Sequence, residues 1–130
     1  MAVFATYECD VCRHRVSING PHEFYRDSAG NRKHYGHPVP VSVEAKNAGI
    51  KGFYFNFYCP VCDATKEAVI AEFKKPLDDI KCWKALKKHF IEPFCDDCGG
   101  KLYDSTAEGL KCPRCEGGHL RRDRSMHVWT

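Results

Sequence analysis

Eight of the nine cysteines in this 130-residue chain fall into four C-x-x-C pairs: Cys9/Cys12, Cys59/Cys62, Cys95/Cys98 and Cys112/Cys115. The ninth, Cys82, stands alone. No other feature restricts the fold so much. A C-x-x-C turn brings two sulfurs to one point while amides of the turn donate to them. Two such knuckles complete a tetrahedral shell of thiolates, the ligand set that suits zinc. A chain of this length makes one ordinary domain or two very small ones, and small units bury too little surface to offset chain entropy without a staple. Metal held by paired cysteines is such a staple.

Disulfides are the competing use of so many thiols. They belong to oxidising compartments and come as an even count behind a signal peptide. Nine is odd, and the opening MAVFATYEC has no basic segment followed by an apolar run. No stretch approaches the roughly 18 consecutive apolar residues that span a membrane. These features predict a reducing, cytoplasmic setting with all eight paired cysteines as metal ligands. Thioredoxin-type redox use of a pair needs a βαβ setting and a helix after the first cysteine, whereas strand-like residues follow the pairs here.

Which knuckles share a metal is open, and neighbours in sequence are the natural expectation. Thirteen residues separate Cys98 from Cys112, with a turn at Asp104–Gly109 between the strand-like segments KLY and GLKC. This stretch, with CGG after one knuckle and CPRCEGG after the other, resembles a zinc ribbon. The resemblance implies that Cys95, Cys98, Cys112 and Cys115 close one site. Rubredoxins use similar knuckles, so iron is possible at this C-terminal site. Cys9, Cys12, Cys59 and Cys62 then form a second ribbon-like site across a 46-residue insert. The longer loop adds only about 1 kcal/mol, because closure cost grows logarithmically. Exchanging knuckles between the sites would force both to form together, and nothing in the sequence asks for that.

Between the knuckles the pattern is mostly that of strands. Residues 3–18 suggest a hairpin around the first knuckle, and SAGN a polar hairpin within the turn-rich stretch 19–37. PVPVSVE, Pro38 to Glu44, alternates like an edge strand, and AKNAG breaks it. KGFYFNFYC, Lys51 to Cys59, is the strongest strand, with Phe53, Phe55 and Phe57 on one face and Tyr54, Asn56 and Tyr58 on the other. EAVIAEF alternates again, placing Val69, Ala71 and Phe73 together. An amphipathic helix is expected from Pro76, Asp78 or Asp79 to Pro93, with Ile80, Trp83, Leu86, Phe90 and Ile91 on its apolar arc. The predicted architecture is a small β-rich α+β protein: an N-terminal ribbon-like module over 1–75, a linking helix over 76–93 and a C-terminal zinc ribbon over 94–130. The tail HLRRDRSMHVWT reads as a strand with Trp129 docked on its own ribbon or on another protein.

No catalytic set assembles on this reading. Four-thiolate sites are closed and electron-rich, poor at activating water. Of seven histidines (His14, His22, His34, His37, His89, His119, His127), His34 and His37 have H-x-x-H spacing but no carboxylate beside them in sequence. Cys82 and His89, two helical turns apart, lie roughly 10 Å from each other, too far for a nucleophile–base pair. Cys82 reads as a small buried thiol.

The charges limit the partners. The net charge is +3, and residues 94–130 carry six basic and six acidic side chains. Strong phosphate binding rests on a clear basic excess. A protein partner fits better, with Phe24, Tyr25, Tyr35 and Trp129 as candidate exposed anchors. The size and the two four-cysteine sites are similar to the small zinc-containing subunit of acetophenone-carboxylase-type ATP-dependent carboxylases. That resemblance implies a non-catalytic subunit holding two zinc ions and organising larger catalytic subunits. The alternative is a small zinc-ribbon nucleic-acid-binding regulator.

Overall fold

A computed structural model of the chain describes residues 2–36, 39–104, 109–123 and 128–129. Its secondary structure is mostly antiparallel strand: β1 (Ala2–Cys9), β2 (Arg15–Arg26), β3 (Arg32–His34), β4 (Ile50–Cys59), β5 (Ala64–Leu77), β6 (Leu120–Arg122) and β7 (Val128–Trp129). Two short helices interrupt them, α1 (Val43–Ala48) and α2 (Asp79–Lys88). Among the described residues the strands form a seven-stranded sheet in the order β5-β4-β2-β1-β6, with β3 added to β2 and β7 to β1. No helix among them is long and apolar enough to cross a membrane.

The chain divides into two compact units. The first comprises Met1–Gly20, Asn56–Ala68 and Pro93–Thr130. It contains all eight paired cysteines. Here β1 and β2 run antiparallel from Val3↔Gly20 to Glu8↔Arg15, so the first knuckle is the tip of their hairpin. β6 joins the other edge of β1 through Tyr7↔Arg122 and Cys9↔Leu120. The tail strand β7 returns to β1 at Ala2↔Trp129 and Val3↔Val128. The second knuckle is the tip between β4 and β5.

The second unit comprises Pro21–Phe55 and Val69–Glu92. The polar hairpin expected at SAGN is present: Asp27 Oδ1 accepts from the amides of Ala29 and Asn31, each at 2.9 Å, and the chain returns as β3. The core contains Phe53, Phe55, Ala71 and Phe73, with the Trp83 ring 4.6 Å from that of Phe53. Gly52 lets the chain pass Phe24 and the Ala71 carbonyl, where any Cβ would strike them.

Three expectations fail here. The α+β architecture with a long joining helix is replaced by the antiparallel sheet. The amide of Ile91 bonds to the Ile70 carbonyl at 2.7 Å, so the chain has left the helix before Pro93. The apolar arc is also displaced. Cys82 is the buried residue of α2, while Ile80 is 73% exposed and Phe90 and Ile91 are more than half exposed. The third failure is the edge strand expected over 38–44, of which 39–44 are described and are not strand; Pro38 lies outside the described residues. Ser42 Oγ instead caps the Ala45 amide at 3.1 Å, and Gly49, with φ of 78°, ends a helical turn. Local capping overrides the V-x-V-x-V alternation.

Phe53→Ala should destabilise the metal-loaded chain by about 3–5 kcal/mol, the usual cost of emptying a buried aromatic site. Ile80→Ala should stay within about 0.5 kcal/mol, since its side chain faces solvent. Urea denaturation of the two variants side by side measures both.

Candidate metal centres

The eight paired cysteines come together as two groups of four, and neither group joins sequence neighbours. Cys9, Cys12, Cys112 and Cys115 form one; Cys59, Cys62, Cys95 and Cys98 form the other. Within each group all four sulfurs lie within 4.8 Å of one another. The first knuckle therefore pairs with the fourth and the second with the third, one site nested inside the other along the chain. This corrects the expected grouping and removes the separate C-terminal ribbon, including its iron option as a site of those four residues. The segments meant to form its hairpin pair elsewhere: Lys101 bridges Phe94, Tyr103 bridges Tyr58, and Lys111 bridges His119.

The sulfur geometry fits a metal and excludes disulfides. The Cys9–Cys115 and Cys12–Cys112 separations are 3.6 and 3.7 Å, and those of Cys59–Cys98 and Cys62–Cys95 are 3.5 and 3.8 Å. A tetrahedron with metal–sulfur bonds of about 2.3 Å has edges of about 3.8 Å. A disulfide needs about 2.05 Å. All nine cysteines are free thiols. Each group can thus hold one metal ion through four sulfurs, with no position left open.

Each knuckle is built by the same local device. The residue after the second cysteine has a left-handed backbone: Arg13 (φ 69°), Asp63 (52°), Gly99 (73°) and Glu116 (58°). Backbone amides of the turns also point at the sulfurs. Cys9 Sγ accepts from the amides of Val11 and Cys12 at 3.4 Å, Cys59 Sγ from Cys62 at 3.5 Å, and Cys98 Sγ from Gly100 at 3.4 Å. Gly118 is required for a different reason: a Cβ there would run into Cys9 Sγ. Its carbonyl also accepts from the Cys112 amide at 2.9 Å, closing the fourth knuckle, and the Asp10 amide donates to the His119 carbonyl at 3.1 Å, tying that knuckle beside the first.

These amides divide the thiols. Burial raises the Cys9 thiol, but the amides of Cys12 and Val11 and the neighbouring thiols outweigh it and bring it down to about 6. At Cys95 the Cys98 amide overcomes burial and holds the thiol at about 7. Cys12 moves the other way: the His14 amide lowers it, yet burial and the sulfurs around it push it up to about 12. Burial and then the sulfurs of Cys95, Cys59 and Cys98 push Cys62 up to about 12. In each group one thiol ionises readily and at least one keeps its proton at neutral pH.

Between the two groups sits a carboxylate that the sequence reading missed. Asp63 Oδ1 accepts from His14 Nε2 at 2.7 Å and from the Tyr58 hydroxyl at 2.9 Å. Asp63 Oδ2 accepts from Arg114 Nε at 2.8 Å. Burial raises the Asp63 carboxyl, but hydrogen bonds from Arg114, His14 and Tyr58 prevail and hold it below the usual carboxylate range. An ionised carboxylate only accepts, so His14 carries its proton on Nε2. The only signal in the sequence was an aspartate in the slot after a knuckle, a residue that tolerates the left-handed backbone better than most.

The other candidates take quieter places. Cys82 is fully buried, its Sγ 3.3 Å from the Asp79 carbonyl oxygen, and burial with the nearby Glu23 and Asp79 carboxylates pushes it up to about 12. A buried thiol held protonated in this way packs as a small apolar side chain. His34 Nδ1 lies 2.8 Å from the Tyr54 hydroxyl, and the His22 ring packs against both. His37 and His127 lie outside the described residues, so the H-x-x-H pair does too. The Phe24, Tyr25 and Tyr35 side chains are buried, at most 8% exposed, and so are not surface anchors. The Trp129 side chain is likewise outside the described set.

Comparison with family models, with curated proteins and with solved structures finds no match to this chain. The two four-cysteine groups support zinc-ribbon-like modules and a metal-binding role by their geometry alone.

Nested grouping has a distinctive signature in metal content at saturating zinc. Cys9→Ser should lower it from two ions per chain to one, and adding Cys112→Ser should leave it at one. Cys9→Ser with Cys59→Ser should bring it to zero, whereas sequential grouping reverses the two double variants. Cys82→Ser should keep two. Affinity should also climb with pH, because protons on Cys12 and Cys62 must leave before the metal binds. Each site should tighten at least about tenfold per pH unit around neutrality, one factor of ten per proton released. Competition with a chromophoric chelator across pH checks this slope.

Proposed function

We propose that the protein is a non-catalytic zinc-binding scaffold that organises or stabilises a larger multi-subunit enzyme through protein contacts, in a reducing compartment. The closed four-sulfur shells carry this reading. A site without an open position supplies shape, and two of them in one unit fix the loops around them. Zinc is the metal of choice because it is redox-inert and accepts tetrahedral sulfur without a geometric preference of its own.

The apolar surface supports a protein partner. Val11 and Val61, at equivalent places in the first two knuckles, are 62% and 74% exposed. Phe94, just before the third knuckle, is more than half exposed. Apolar side chains held outward by a rigid frame are the anchors that interfaces use. The charges of the same unit favour this over nucleic acid. Arg13 and Arg15 pair with Glu8, Arg114 with Asp63, Arg121 with Asp10, and Lys66 with Asp97. Cations already paired with carboxylates gain less from phosphate. The resemblance to the small zinc-containing subunit of acetophenone-carboxylase-type carboxylases implies the partner class, the large subunits of an ATP-dependent carboxylase, with catalysis residing in them.

Tagged chain recovered from its native cells should carry two zinc ions by elemental analysis and show no visible absorption; a coloured protein would indicate iron. It should bring down large proteins in fixed stoichiometry, resistant to nuclease. Val11→Asp with Val61→Asp should lower that recovery at least tenfold while leaving two zinc ions in place. Partners lost on nuclease treatment would move the reading to nucleic acid.

A further inference from the structure

The two thiol groups are joined by more than a shared unit. Three side chains meet at Asp63, and each of the four residues lies in or beside a knuckle. His14 is two residues after Cys12, and Arg114 lies between Cys112 and Cys115, so both knuckles of the first site reach the carboxylate. Tyr58 directly precedes Cys59, and Asp63 itself directly follows Cys62, in the second site. The junction is shielded on the side of Tyr58, which is fully buried, and of His14, whose side chain is only 10% exposed, and open on the side of Arg114. The Tyr58 backbone is also fixed, exchanging two 2.9 Å hydrogen bonds with Tyr103.

Metal at the first site would fix the first and fourth knuckles, and with them His14 and Arg114. Metal at the second would fix the backbone turn that presents Asp63. Each event would order the partner that the other needs. We propose that Asp63 is a positioning residue that couples the two sites, so that the chain loads its two metal ions cooperatively. The inference rests on the reading of both groups as metal sites. Coupling of this kind is reciprocal: filling either site strengthens the other by the same factor.

Native mass spectrometry of the full chain during zinc titration tests it, because it counts zero-, one- and two-metal forms separately. Two independent sites of equal affinity leave about half of the molecules with one metal at half loading, and unequal independent sites leave more. Coupling of about 100-fold lowers that share to about a tenth. We expect a one-metal share well below half in the wild-type chain. In Asp63→Asn, which keeps a residue at ease with positive φ but removes the charge, the share should rise to half or more, with two ions still bound at saturation. A wild-type one-metal share of half or more that Asp63→Asn does not raise further overturns the coupling. A suppressed share that Asp63→Asn leaves unchanged overturns the role of Asp63. Absence of any metal-bound form at saturation overturns the metal reading itself and not the coupling alone.

Discussion

The first unit depends on convergence of four sulfurs at each of two points. Each convergence joins segments far apart in sequence: Cys12 with Cys112, and Cys62 with Cys95. The joined segments are short. The chain from Pro93 to Asp123 contributes only isolated bridges and the three-residue β6 to the described sheet. Bridges of one residue pair contribute little by themselves, and short strands are marginal without a packed face. Thiolate–metal bonds can replace what these segments lack in buried area, since binding free energy at such sites is folding free energy of order 10 kcal/mol. The second unit is built differently. It has a conventional aromatic core in Phe53, Phe55, Phe73 and Trp83, and its one cysteine, Cys82, is simply packed.

The knuckle shows how a repeated function can be written in dissimilar residues. All four turns need a left-handed residue after the second cysteine, yet only one uses glycine. Arginine and glutamate in that slot cost of order 1 kcal/mol or more each. Such strain persists only where the surroundings over-determine it, and four sulfurs drawn to one point do that. Where the slot holds aspartate, the left-handed turn places a carboxylate within reach of three donors.

What could be read from the sequence follows from this division. The eight cysteines that gather into the two groups were legible because C-x-x-C is a local device, complete within four residues. The long strands around Phe53–Phe57 and Val69–Phe73 were legible because alternation is local as well. The grouping of knuckles was not, because thiols are chemically interchangeable and loop length barely discriminates between partners. Burial of Phe24, Tyr25 and Tyr35 was hidden for a related reason. They sit in a stretch whose turn-forming composition marks loops, yet β2 continues through Tyr25 to Arg26 and carries the first two into the core. The start of α2 at Asp78 was visible as a cap; its end was not, because the Ile91–Ile70 hydrogen bond is a tertiary contact.

Two physical terms could link the nested sites, and their sizes differ. Forming the inner site first shortens the outer loop by roughly a third, an entropic gain of less than about 0.6 kcal/mol. The contacts to Asp63 are larger: hydrogen bonds to a charged group contribute about 1.5–3 kcal/mol each where they are shielded. The Arg114 contact, whose guanidinium is 63% exposed, deserves only the small value of a surface pair. The shielded contacts from His14 and Tyr58 therefore dominate. His14 belongs to the outer site and Tyr58 to the inner one, so the stronger part of the network spans both. Chain topology alone would leave the two metals nearly independent; the aspartate after the second knuckle is what makes them one centre.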